Sequence, residues 1–300
     1  MDQLTSMRLF VRVVQTGSFT AVARESGISQ SSVSKRLAAL EAKLGTRLLS
    51  RSSRKFSLTE SGSDYYERSV LILMDVDEAQ AAVTSMTGNP MGVLRISVPV
   101  SFGQLHIIPR MPNFLQAYPN IKLDMMLMDR YVNLVAEGID VAIRIGTLED
   151  SSLIARRLGD SPRRLVASKA YLDSRGRPSH PEELKNHNCL VYSLLNTVNI
   201  WHFQHEGKEI KVQVNGTFQA NNSNAVRQMA LAGCGIIISP KWMSDRDIQN
   251  GRLEAVLTEY TPLGSPIQAV YLDKHYVPGK VSTMVSFLQK SFASDPLLQG

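Results

Sequence analysis

The chain has 300 residues, 43% of them hydrophobic and 20% charged, with two cysteines and a formal net charge of +6. That length allows about two domains of roughly 100–200 residues each, and the composition excludes a disordered or a disulfide-stapled chain. No run approaches the ~18 apolar residues of a bilayer span. The opening MDQLTSMRLFVRVV lacks the apolar core and cleavage site of a secretory signal, so a cytoplasmic protein with no membrane partner is expected.

The positive charge is confined to one end. Residues 1–60 hold ten lysines and arginines against four acids, whereas the remaining 240 hold 23 of each. Such a block is either a solvated basic face or the footprint of a polyanion, since neutralising phosphates releases counterions. In chain order, Leu4, Met7, Phe10, Val11 and Val14 recur at helical spacing. Gly17 breaks that helix, Ser18 is suited to cap the next (FTAVARES), and Gly27 supplies a tight turn. Ser29 then caps a third helix over residues 30–44, which Gly45 ends. TRLLSRSSRKFSLT predicts two short extended runs around a basic turn. Thr59 caps a fourth helix that runs to about residue 86, in which Tyr66, Val70, Leu73, Val76, Ala79, Val83 and Met86 approximate a heptad seam. That seam predicts a partner chain, with packing on a downstream domain as the alternative. Gly88, Asn89, Pro90 and Gly92 read as a linker.

Beyond Gly92 the pattern becomes α/β. VLRISVPV, IKLDMMLM and DVAIRIG read as strands, separated by a helix capped by Ser101 and a short helix around Leu134. The alternation predicts a mainly parallel sheet with crossover helices. After Ser161-Pro162, the strands LVAS, NCLVYSL, KVQVNG and CGIIISP and a helix over residues 225–232 suggest a second lobe. Past Pro262 and Pro266, AVYL and a helix over residues 281–292 return to the first, so two lobes are joined by two crossings.

Residues 19–40 fit a helix-turn-helix. Ala23 is small where the helices cross, and Val22, Ile28, Val33, Leu37 and Leu40 supply a core. The second helix then presents Ser29, Gln30, Ser31, Ser32, Ser34, Lys35 and Arg36 near its N-terminus, a short polar side suited to a major groove. Glutamine pairs with adenine and arginine or lysine with guanine, while Arg51, Arg54 and Lys55 on the hairpin would grip the DNA backbone. With the charge block and the seam-bearing helix, these features resemble the LysR-type transcriptional regulators, and the resemblance runs over essentially the whole chain. It is carried by GSFTAVARESGISQSSVSKRLAALEAKLGTRLLSRSSRKFSLTESG, and downstream by LRISVPVSFGQLHIIPRMPNFLQAYP, VAIRIG, SSLIARRL and ANNSNAVRQMALAGCGI, which are similar to the CrgA-like branch. Ser26 stands where that family commonly has leucine, and Ser31-Ser32 where a Pro/Ala-type pair is frequent, which leaves base preference open.

The resemblance implies a winged helix-turn-helix, mainly α, over residues 1–58, and a dimerisation helix over 59–88. It further implies a two-lobed α/β, periplasmic-binding-protein-like effector domain over 89–300, with lobe I at 89–161 and 267–300 and lobe II at 162–266. It also implies double-stranded DNA partners bearing an inverted repeat near a promoter, a homodimer assembling into a homotetramer, and contact with RNA polymerase if the protein is an activator.

A two-lobed α/β domain binds ligands where strand ends of both lobes meet. The first candidate is the turn Pro99-Val100-Ser101-Phe102, whose amides and hydroxyl suit a carboxylate, although Ser101 read simply as a helix cap explains the same residue. Arg144, in a strand that otherwise reads as buried, pairs with an internal acid such as Asp129 or Asp140 or reaches the ligand. Asn221 and Asn222 before a helix, Ser239 at a strand end and the aromatic Trp201 complete the set. A carboxylate or aromatic effector is the expectation.

No catalytic motif is present: GxSxG, GxxxxGK[ST] and HExxH are missing, and PGKVST lacks the residues of a phosphate loop. His202 and His205 alternate as in a strand and splay apart, so neither metal nor cofactor is expected. Two other readings remain. A thiol-based redox regulator would use Cys234, whose apolar surroundings favour an inert thiol. An enzyme or small-molecule-binding protein with an incidental basic domain would show no salt-sensitive DNA affinity.

Overall fold

A computed structural model of the protein describes residues 2–51, 56–85, 90–147, 153–194, 198–272 and 277–299. It divides into two compact units, Met1–Met91 with Val132–Asp140, and Gly92–Tyr131 with Val141–Gly300.

In the first unit, α1 (Gln3–Thr16), α2 (Phe19–Glu25) and α3 (Gln30–Leu44) precede a hairpin of β1 (Leu49–Arg51) and β2 (Phe56–Leu58), and α4 (Glu60–Ser85) follows. Local chemistry sets the boundaries. Ser18 Oγ accepts from Ala21 N–H at 3.2 Å, Ser29 Oγ from Ser32 N–H at 3.2 Å, and Thr59 Oγ1 from Gly62 N–H at 2.9 Å. Gly17 and Gly45 end their helices at φ 64° and 68°, a left-handed conformation that glycine adopts without steric cost. Phe10, Val13, Val22, Val33, Leu37 and Leu48 fill the core between the helices. Glu41 Oε1 accepts from the N–H groups of Leu48 and Leu49 at 2.8 and 3.0 Å, tying the last turns of α3 to the start of the hairpin.

The first part of the heptad-like stripe on α4 packs within its own unit. Tyr66, Val70 and Leu73 are buried in the unit's own core, where Phe10 meets the rings of Tyr65 and Tyr66, and Arg8 of α1 pairs with Asp77. Among its described side chains, the large apolar ones that α4 leaves exposed are Leu71 and Ile72. Met86, Gly88 and Asn89 lie outside the described residues.

The second unit opens with β3 (Gly92–Val98) and α5 (Val100–Phe102), which continues through a π turn at Gly103–Ile107 and a 3-10 turn at Ile108–Arg110 into α6 (Met111–Ala117). β4 (Ile121–Leu127), α7 (Leu134–Glu137, grouped with the first unit), β5 (Val141–Ile145) and β6 (Leu153–Ser161) follow. The second lobe contains β7 (Arg163–Ala167), α8 (Lys169–Arg175), β8 (Val191–Tyr192), β9 (Ile200–His205), β10 (Lys208–Gln213) and β11 (Gln219–Ala220). It continues with α9 (Ser223–Leu231), β12 (Ile237–Pro240), α10 (Lys241–Gln249), β13 (Glu254–Val256) and β14 (Thr261–Pro262). β15 (Ser265–Leu272) and α11 (Gly279–Ala293) return to the first lobe.

The first-lobe sheet has the order β4-β3-β5-β15-β6. β3 runs parallel to β4 and β5, as predicted, but β15 is antiparallel to both β5 and β6. The reason is topological: β6 leaves for the second lobe and β15 comes back beside it, with Ser161 opposite Ser265. The second-lobe sheets β12-β7-β13 and β10-β9-β14 are antiparallel while the short β8 and β11 pair in parallel, so the expectation of a mainly parallel sheet holds in the first lobe for β3, β4 and β5. Ser101 is not the cap expected of it. Pro99, fixed at φ −59°, occupies the N-cap position and α5 begins at Val100, two residues earlier than a Ser101 cap implies.

Candidate DNA-reading helix and sensor cavity

Val33, Leu37 and Leu40 are buried and seat α3 on its own unit. Gln30, Ser31 and Lys35 are exposed, while Ser32, Ser34 and Arg36 are half-buried. Farther along, the exposed Ala38, Ala39 and Ala42 keep the helix surface shallow. Ser29 is engaged within the helix terminus, its Oγ 2.9 and 2.8 Å from the hydroxyls of Ser31 and Ser32, and Gln30 Oε1 accepts from Thr20 Oγ1 at 3.2 Å.

The acids of this end serve structure. Asp2 caps α1 by accepting from Leu4 N–H at 3.1 Å and Thr5 Oγ1 at 2.6 Å, and these bonds lower its pKa. Glu25 pairs with Arg12 at 2.9 Å, and Glu41 holds the hairpin. Lys35, Arg36 and Arg47, like Arg24 on α2, have no ion pair among the described residues, so uncompensated cations lie on α2, on α3 and beside the hairpin. Arg51 lies in β1, and Arg54 and Lys55 fall outside the described residues.

Between the lobes of the second unit lies a cavity of about 160 Å³. Pro99, Phe102, Asp129, Tyr131, Arg144 and Gly146 line it from the first lobe, and Arg163, Tyr192, Leu194, Ile238, Pro240 and Trp242 from the second. Two hydrogen bonds cross it: Asn222 Nδ2 donates to Asp129 Oδ2 at 2.9 Å, and Ser223 Oγ to Ser101 Oγ at 3.1 Å. Asp129 Oδ1 accepts from Val100 N–H at 3.0 Å. The anion that the turn at residues 99–102 was expected to draw from a ligand is therefore met at Val100 by the protein's own Asp129. Arg144 donates from Nη1 to Arg130 O at 3.1 Å and lies 5.3 Å from the centre of the Tyr131 ring. A neighbouring cavity of about 290 Å³ shares Arg163, Tyr131 and Leu194 with the first and reaches Trp201 and Ser265.

The sequence candidates thus separate. Pro99, Phe102 and Arg144 line the cavity, Ser101 and Asn222 bond across it, Val100 bonds to Asp129 within the first lobe, and Trp201 belongs to the second-lobe core and the neighbouring cavity. Asn221 is exposed and outside the lining, and Ser239 is buried with its Oγ on Pro240 O at 3.3 Å.

Residues 4–63 match the family model described as bacterial regulatory helix-turn-helix protein, lysR family, and residues 87–293 match the LysR substrate binding domain. The chain belongs to the LysR family of transcriptional regulators. This LysR-type regulator is 38% identical over 283 residues to an uncharacterized HTH-type transcriptional regulator of Haemophilus influenzae, covering 94% of this chain and 98% of that one. It is 34% identical over 292 residues to the HTH-type transcriptional regulator CrgA of Neisseria meningitidis serogroup C, covering 96% and 97%. The solved full-length structure of the Vibrio cholerae virulence activator AphB, a member of the LTTR protein family, is 32% identical, with a TM-score of 0.62 over 96% of this chain and 98% of that one. The protein is therefore a DNA-binding transcriptional regulator with an effector-binding domain.

Several cavity residues of this LysR-type regulator escaped sequence reading. Arg163, Tyr192, Trp242 and Ser223 come from separate elements, and Asp129 entered only as a partner for Arg144. Arg163 did carry a signal, the first of two charges opening the strand RRLVA. His202 and His205 are held separately, by Glu209 Oε1 at 2.8 Å and Glu259 O at 3.1 Å. Burial pushes the Cys189 thiol up to about 12, and Cys234 is half-buried. Among the described residues no group of three or more side chains could hold a metal ion, and no helix is long and apolar enough to cross a membrane.

Proposed function

We propose that this regulator works in the cytoplasm as a dimer joined through α4, assembles into a tetramer, and reads an inverted repeat near a promoter. In this reading residues 1–58 bind DNA, 59–88 link and dimerise, and 89–300 sense a small molecule between the lobes, whose occupancy changes DNA bending or contacts. If the bound site activates transcription, RNA polymerase is the further partner.

The observation that carries this reading is the outer face of α3, where Gln30, Ser31, Ser34, Lys35 and Arg36 stand over a buried Val33–Leu37–Leu40 seam. Short side chains and the positive helix N-terminus suit close approach to a major groove. Arg36 or Lys35 would reach guanine and Gln30 adenine, while Arg51, Arg54 and Lys55 would hold phosphates. Leu71 and Ile72, exposed on α4, supply an apolar surface for a second copy.

Selecting bound fragments from a random DNA pool with the full-length protein at two salt concentrations tests this. Enrichment of an inverted repeat with roughly one-turn half-site spacing is the expected result. Recovery of unrelated sequences at both salts contradicts it.

A further inference from the structure

We propose that Arg163 is the anion anchor of the inter-lobe cavity and that the occupant is a small, flat monocarboxylate with an apolar body. This deepens the effector reading above and rests on it.

The charges around the cavity lead to that assignment. Both carboxylate oxygens of Asp129 are already engaged, Oδ1 by Val100 N–H and Oδ2 by Asn222 Nδ2. Arg144 leans on Arg130 O and the Tyr131 ring. Arg163 is different: its Nη2 donates to Ser265 Oγ at 3.0 Å, a neutral partner, and no carboxylate lies within ion-pair distance of it among the described residues. A guanidinium has five N–H donors and stays charged in proteins. Burial holds the Arg163 pKa below the usual arginine range, and the nearby Tyr192 phenol is itself pushed up by burial and therefore neutral. Arg163 is half-buried, and a partly desolvated cation without a counter-charge within reach carries a cost. A ligand carboxylate would remove that cost, and the planar guanidinium fork matches it bidentately.

The walls set the rest of the ligand. Phe102, Tyr192, Leu194, Ile238 and Trp242 present aromatic and aliphatic surface, and Trp242 uses its only polar atom on Ser161 Oγ at 2.9 Å. At about 160 Å³ the cavity is smaller than the ~300 Å³ at which drug-sized pockets begin.

Arg163 also sits at the crossing between lobes. It lies two residues beyond Ser161, which pairs with Ser265 where β6 leaves and β15 returns. Its bond to Ser265 therefore clasps both crossing strands, and a carboxylate drawn to the same guanidinium acts directly on the hinge.

The test titrates full-length protein with benzoate and with its neutral analogue benzamide, by calorimetry, for wild type, Arg163→Met, Arg163→Lys and Leu194→Trp, each first checked for cooperative unfolding. Arg163→Lys keeps the charge and loses the fork, so it preserves a measurement if the methionine variant does not fold. Wild type is expected to bind benzoate at least tenfold more tightly than benzamide. Arg163→Met should erase that preference, Arg163→Lys should leave part of it, and Leu194→Trp, which fills the cavity, should abolish binding of both. If both probes bind equally, are blocked by Leu194→Trp and ignore both Arg163 variants, the cavity is the sensor but Arg163 is not its anchor. If binding ignores Leu194→Trp, the cavity reading itself falls. Absence of benzoate binding to wild type at millimolar concentration overturns the proposed ligand class.

Discussion

Asn222 and Asp129 join the two lobes of the sensor through one hydrogen bond, Nδ2 to Oδ2 at 2.9 Å. The other atom of the same amide, Oδ1, accepts from Ala225 N–H at 3.1 Å and caps α9. One side chain thus fixes a helix terminus and a lobe contact together, and Asp129 passes the contact on to the first turn of α5 through Val100 N–H.

The two roles of Asn222 can be separated. Asn222→Asp keeps an N-cap of equal quality but sets a carboxylate against Asp129, whereas Asn222→Ala loses both and should cost about 1 kcal/mol through the cap alone. The aspartate variant should unfold close to wild type at neutral pH yet occupy a more open sensor, read as a larger radius by small-angle scattering. Two facing carboxylates raise one pKa, so acidification should protonate one of them and restore the compact form. An unchanged radius at neutral pH would count against the bridge.

The contrast between legible and hidden features follows from distance along the chain. Ser18, Ser29, Gly45 and Thr59 were readable because a cap involves residues two to four apart. The seam on α4 was visible as a period, but a period does not say which surface covers it, and α1 takes the Tyr66, Val70 and Leu73 part. Ser101 reads as a cap from the sequence but lies inside the helix, because Pro99 caps it two residues earlier. In the cavity, Arg144 and the turn at residues 99–102 stood out as polar features in apolar strands. Asp129 and Asn222 are 93 residues apart, and no local pattern announces that they meet.

Ser161 tests the hinge. Its Oγ accepts from the indole N–H of Trp242 at 2.9 Å, with both residues buried. Ser161→Ala leaves that donor without its partner, so it should destabilise the sensor by about 1–3 kcal/mol. Chemical denaturation should show a lower midpoint with an unchanged slope.

His106 should make the sensor less stable in mild acid. It stacks on Phe102 at 5.3 Å and 16° and meets Trp242 edge-on. Burial first, then the Arg110 guanidinium, hold its pKa below the usual histidine value, while Asp295 pulls the other way. The folded pKa lies below the unfolded one, so the unfolded chain takes up the proton first. The contribution of neutral His106 is full above the unfolded value of ~6.5 and is lost as pH falls from there toward the folded pKa. His106→Phe keeps a stacking ring and does not titrate, so its melting temperature should fall less than wild type between neutral and mildly acidic pH.

Leu71 and Ile72 remain 38% and 44% exposed on α4 while Tyr66, Val70 and Leu73 on its other face are buried. Ile72→Glu should leave the fold of the unit intact, shift sedimentation toward the monomer and weaken binding to an inverted repeat. A variant that sediments like wild type would move the dimer contact elsewhere.

The most direct measurement of the central claim, that α3 reads the DNA, is operator affinity against salt for wild type and for the double variant Lys35→Ala/Arg36→Ala. Wild type should lose affinity linearly on logarithmic axes as counterion release predicts. The variant should bind the operator more weakly by about 1–3 kcal/mol for each lost base contact, or with a shallower salt slope for each lost phosphate contact, and retain cooperative unfolding. Coincident curves for the two proteins would contradict the account and place the reading surface on another element.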